Sequence, residues 1–182
     1  YHFLYQIPQI PAYHGVEHSE STVIALGPAS KSGEEKFYAD LIGIASHELY
    51  HTWNVKQLRP RTMVPYNYRL PQFSSLGFIY EGVTTYLGDK YLWKTGVYSD
   101  SAYAKELEIK VIRHLHNPGR TSLSLADSSV DTWVDGYEQG TPWRKVSIYN
   151  EGALVSMIID AKIHQLSAGK KGIEDWMKVL MS

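Results

Sequence analysis

The sequence contains no cysteine, which excludes disulfides and thiolate zinc sites while leaving the compartment open. Long hydrophobic runs are also missing. No apolar stretch approaches the roughly 18–20 residues that span a bilayer. Neither sign of charge dominates: Lys+Arg 18 against Asp+Glu 19 gives a formal net charge of -1. No basic stripe points to nucleic acid, and no charge block points to a tail. The opening "YHFLYQIPQIPAYHG" lacks the basic region, apolar core and small-residue cleavage site of a signal peptide. It reads as the interior of a longer protein.

What is present is ordinary globular material, with 43% hydrophobic and 20% charged residues in a chain of 182, a length suited to one domain. Residues 1–33 carry Pro8, Pro11, Gly15, Gly27, Pro28 and Gly33, so this part is β and loop rather than helix. Within it "STVIALG" (Ser21–Gly27) has the β-branched, apolar centre of a strand. From residue 34 to 182 the pattern is helical. Phe37, Leu41, Ile44 and Ala45 form one helix face, and this helix is expected to run on until Pro60 and Pro65 close it. Further helices are expected over about 76–93, 99–116 and 146–166, with a short amphipathic one at 172–181. Residues 117–145, rich in Asn, Pro, Gly and Ser, read as a long loop. The fold class is α+β, predominantly helical, with a small N-terminal β element.

The chemistry gathers at "SHELYHTW" (Ser46–Trp53). On a helix, His47 and His51 sit one turn apart on one face and can share one ion. Glu48, one residue along, points beside that ion, where it can take a proton from water. The five residues alone leave two readings, a metal site or two histidines satisfied by neighbours. A catalytic zinc requires a third protein ligand. The metzincin pattern fails, because Asn54 and Gln57 stand where its glycine and third histidine belong. The gluzincin pattern, with a glutamate from the next helix, is met by Glu81 in "IYEGVTTY". Glu81 lies among Phe78, Ile79, Tyr80, Val83 and Tyr86, where a bare carboxylate is costly without a partner.

These blocks together resemble the glycyl aminopeptidase family of zinc metallopeptidases, relatives of aminopeptidase N in the gluzincin group. "SHELYHTWNVKQLRP" is similar to that family's HExxHxWNxKxxRP signature and "YEGVTTY" to its ligand helix. "NPGRTSLSLADSSVDTW" and "VSIYNEGALVSMIID" resemble its downstream blocks, so the likeness runs from about Tyr13 to Asp160. The resemblance implies a thermolysin-like catalytic domain over residues 1–182, with an N-terminal β domain and a C-terminal PDZ-like domain flanking it in the full protein. It implies one Zn²⁺ held by His47, His51 and Glu81, with Glu48 as general base. It implies that Tyr149 in "IYNEGA" donates to the oxyanion, a role commonly worth about 3–4 kcal/mol. Glu17 in "YHGVEHSES" matches the carboxylate that recognises a free substrate amine; the alternative is local pairing with His14 or His18. Thr85 departs from thermolysin's pattern, which has an acid there, and so leaves open what orients the two histidines. The implied activity is a zinc-dependent aminopeptidase acting on peptides with a free N-terminus, with small residues such as Gly or Ala preferred. The rivals are a gluzincin endopeptidase and an inactive peptide-binding module on the same scaffold. Trp53, Trp93, Trp133 and Trp143 read as packing or cleft walls.

Overall fold

The computed structural model describes residues 1–135 and 144–181. Three strands open the chain: β1 (His2–Gln6), β2 (Ala12–Glu17) and β3 (Ser21–Gly27). β3 is central, parallel to β1 and antiparallel to β2, so β2 is an edge strand. The period-2 pattern of β3 buries Thr22, Ile24 and Leu26 on one face. That face packs on α1 (Glu35–Tyr50), where Ile24 and Leu26 meet Phe37 and Ile44, with Leu41 and Ala45 beside them.

The first helix ends at Tyr50, well before Pro60, so no proline closes it. Its last turn tightens through Thr52 N–H to Leu49 O and Trp53 N–H to Tyr50 O. Val55 then takes a positive φ of 152°, an uncommon conformation for a β-branched residue. It is held by Lys56 N–H to His51 O and Leu58 N–H to Trp53 O. The turn also carries Asn54, 1% exposed, into contact with the next helical segment. Tertiary bonding, rather than a breaker residue, ends this helix.

The helix expected over 76–93 forms as two pieces, α2 (Gly77–Tyr80) and α3 (Gly82–Lys94), with Glu81 at their junction. α4 (Asp100–His116) is capped by Ser99, which accepts from Ala102 N–H. The loop reading of 117–145 is corrected. A 3₁₀ turn spans Pro118–Thr121, and α5 spans Leu125–Asp135. Its serines are caps and interhelix links rather than loop filler. Ser124 accepts from Asp127 N–H, Ser128 from Val146 N–H and Ser129 from Phe78 N–H. The rest of that expected loop, residues 136–143 with Trp143, lies outside the described residues. α6 (Ile148–Leu166) and α7 (Ile173–Met181) complete the chain.

α3 and α6 cross in backbone contact. A Cβ on Gly82 would stand 2.4 Å from Gly152 Cα, so both positions are restricted to glycine. Around the crossing lie Tyr50, Val83, Leu87, Ala153, Ile173 and Met177. A buried polar knot ties α3, α6 and α7: Lys90 Nζ is 2.5 Å from Asp160 and 3.0 Å from Glu174. Asp160 also accepts from Tyr86 Oη (2.6 Å) and Ile173 N–H (2.8 Å). Among the described residues, no helix is long and apolar enough to cross a membrane. The α+β, predominantly helical class holds.

Candidate active site

Helical spacing at the end of α1 sets the two imidazoles side by side, with Nε2 of His47 and Nε2 of His51 3.0 Å apart. Glu81, at the α2–α3 junction, brings Oε2 within 3.2 Å of His47 Nε2 and 3.3 Å of His51 Nε2. Among the described residues these three form the one group of His, Cys, Asp or Glu close enough to hold a metal ion. The edges of the triangle fit a cation. Ligand atoms about 2.0–2.1 Å from a tetrahedral zinc are about 3.3–3.4 Å from one another.

The rings are held from behind. Asn54 O can only accept, so the 2.7 Å contact with His51 Nδ1 puts a proton on that nitrogen and turns Nε2 toward Glu81. His47 Nδ1 lies 3.3 Å from Thr85 Oγ1. The Thr85 hydroxyl and the Asn54 main-chain carbonyl thus meet the two rings from behind, which answers the question that Thr85 raised in the sequence.

The electrostatics of the group call for positive charge. Burial lowers the pKa of His51, but the Glu81 carboxylate outweighs it and leaves the ring up at about 9. Burial raises Glu81, but the His51 charge and hydrogen bonds from both rings hold it down at about 2. His47 is lowered by burial and by its charged neighbour, against the hydrogen bond it donates to Glu81.

Glu48 turns off this face toward the edge strand β2 and is 5% exposed. Gly15 makes its room, because any Cβ there would lie 2.3 Å from Glu48 Oε1. Oε2 of Glu48 is buried with no hydrogen-bond partner. Burial raises its pKa to about 7, with Glu17 and Glu81 pushing further up and His51 and Lys56 pulling down. This is a carboxylate able to take and give a proton near neutral pH.

Glu17, at the end of β2, pairs with Lys56 at 3.3 Å. Its charge reaches both Glu48 and His51. Tyr149 opens α6, with its ring centroid 5.9 Å from that of His47. The Gly82–Gly152 crossing explains this meeting, since Glu81 precedes one glycine by one residue and Tyr149 the other by three. The site therefore brings together all six residues singled out in the sequence. Asn54, Lys56, Gly15 and the bonding role of Thr85 were not foreseen. Asn54 and Lys56 belong to the signature block, but nothing in their spacing marks a main-chain carbonyl or an ion pair. Away from the site, His114 pairs with Glu151 at 2.6 Å.

Residues 40–155 match the family described as M61 glycyl aminopeptidase. No curated protein matches the chain significantly. Among solved structures, it is similar to the crystal structure of an aminopeptidase N family protein from Idiomarina loihiensis, at 28% identity and a TM-score of 0.88. The likeness covers 98% of this chain and 32% of that one, so this chain spans about a third of that protein's length.

Proposed function

This chain belongs to the M61 glycyl aminopeptidase family, and from that premise we propose that it is the catalytic part of a zinc-dependent aminopeptidase acting on peptides with a free N-terminus. The observation that carries the reading is the convergence of His47, His51 and Glu81 beside a buried carboxylate with an unpartnered oxygen, Glu48. His47, His51 and Glu81 would hold the ion. The chemistry zinc supplies in such a donor set is Lewis acidity.

Glu48 takes the proton of the attacking water and passes it to the leaving amine, a task suited to a pKa of about 7. Tyr149 donates its hydroxyl to the oxyanion that develops on the scissile carbonyl. Glu17 pairs with the substrate's α-ammonium and so measures one residue from the end. Preference for a small first residue such as Gly or Ala follows from the family likeness. One observation favours a second reading, an endopeptidase: the Glu17 carboxylate already has a partner in Lys56.

The two readings separate in one assay. Zinc-loaded protein is given glycyl and alanyl peptides with free or acetylated N-termini, and Glu17→Ala is run beside it. The aminopeptidase reading expects cleavage only of the free peptides, and loss of that preference in the variant. Internal cleavage of acetylated peptides would favour the endopeptidase. Stoichiometric zinc without hydrolysis would favour a binding module.

A further inference from the structure

We propose that Asn54 is the positioning residue that sets the shape of the His47–His51–Glu81 group, binding both halves of it at once. Its carbonyl accepts from His51 Nδ1 at 2.7 Å, which fixes the face of that ring. Its carboxamide reaches across to the segment that delivers Glu81. Nδ2 donates to Ile79 O and Tyr80 O, both at 3.2 Å, and lies 3.1 Å from Thr84 Oγ1. These partners flank Glu81 on both sides in sequence. One residue, 1% exposed, thus ties the end of α1 to the α2–α3 junction.

The division of labour follows from the backbone. Asn54 lies three residues past His51, where the helix has ended and its carbonyl can turn back to the ring. The side chain then fixes where that carbonyl sits, because it is anchored to the junction. A carboxamide suits the task, since its NH₂ can satisfy main-chain carbonyls that a carboxylate would repel. Without it, the turn after α1 would lose its side-chain bonds to the segment that delivers Glu81, leaving the direct contacts at the ligand atoms to hold the spacing.

The inference rests on the metal reading given above, and the test keeps the two apart. Zn²⁺ affinity of the 182-residue protein is measured by competition with a chromophoric chelator for wild type, Asn54→Ala and Tyr86→Phe. The last variant also removes a buried hydrogen bond, to Asp160, away from the site. Loss of a residue that orients ligands typically weakens metal binding by about 10–100-fold. That loss is expected for Asn54→Ala and not for Tyr86→Phe, with thermal unfolding of the metal-free proteins run alongside. Should Asn54→Ala fail to fold, Thr84→Val removes one contact of the carboxamide, and a loss toward the lower end of that range is expected. Long-range ¹H–¹⁵N spectra of zinc-loaded wild type should show His51 protonated at Nδ1. Unchanged Zn²⁺ affinity in the Asn54 or Thr84 variant, or metal on His51 Nδ1, would overturn the role of Asn54 and leave the cation site standing. Failure of wild type to bind Zn²⁺ would instead remove the site reading itself, and this inference with it.

Discussion

Replacing Glu48 with glutamine should cost the protein its activity and, in the metal-free form, shift the stability difference toward the variant as pH rises. The carboxylate is 5% exposed, and its pKa rises from 4.5 to about 7 on folding, chiefly through burial. The sign follows from proton linkage. Between pH 4.5 and 7 the folded state holds more protons at this residue than the unfolded state, so its contribution to stability falls as pH rises. A shift of about 2.5 units, at about 1.4 kcal/mol per unit, sets an upper bound of about 3.5 kcal/mol. Glutamine carries no charge at any pH and escapes this cost. Its amide can lack a partner in the same pocket, a penalty of about 1–3 kcal/mol, but that penalty does not vary with pH. The readout is therefore the change in the difference between variant and wild type from pH 4.5 to pH 8. Thermal unfolding in chelator should show Glu48→Gln gaining about 5–10 °C relative to wild type across that range, for a chain of this size. Turnover of a free-amine peptide by the zinc-loaded variant should fall by about 10²–10⁴-fold, with Zn²⁺ affinity retained. A stability difference that stays constant between the two pH values would refute the burial argument. Retained turnover would refute the base.

Tyr149→Phe should lower kcat by about 10²–10³-fold with KM little changed, because its hydroxyl is assigned to the oxyanion alone; steady-state kinetics on a glycyl substrate decide this, and an effect on KM alone would count against it. Lys90→Met should destabilise the fold by about 3–5 kcal/mol, since Asp160 and Glu174 would lose their buried partner. Urea unfolding near pH 7 measures that loss. Zn²⁺ affinity of this variant should be unchanged, the knot lying on the far part of α3 from Glu81.

Much of the scaffold could be read from the sequence because the signals are local. The apolar spacing of Phe37, Leu41, Ile44 and Ala45 defines the buried face of α1, and Ser99 caps α4 as its position suggests. Two features were not readable, and both are tertiary. α1 stops at Tyr50 because the following turn bonds Asn54 to another segment, which no composition rule detects. The segment of α5 has the look of a loop because Ser124, Ser128 and Ser129 favour turns, yet their hydroxyls cap α5 itself and bind the backbone next to α6 and in α2.

The site divides the same way. His47, His51 and Glu48 follow from the spacing within one helical turn, and Glu81 from a motif on the next helix. What holds the rings, the Asn54 carbonyl and the Thr85 hydroxyl, depends on where the chain turns back on itself. The meeting of Tyr149 with His47 depends on two glycines 70 residues apart in the chain, Gly82 and Gly152, touching through their backbones.

The most direct test of the central claim is an anomalous-difference map at the zinc edge, from crystals of the protein grown with one equivalent of Zn²⁺. The expected result is a single strong peak about 2.0–2.2 Å from His47 Nε2, His51 Nε2 and a Glu81 carboxylate oxygen. A map without density among these three side chains, with the Glu81 carboxylate swung away from both rings, would contradict it.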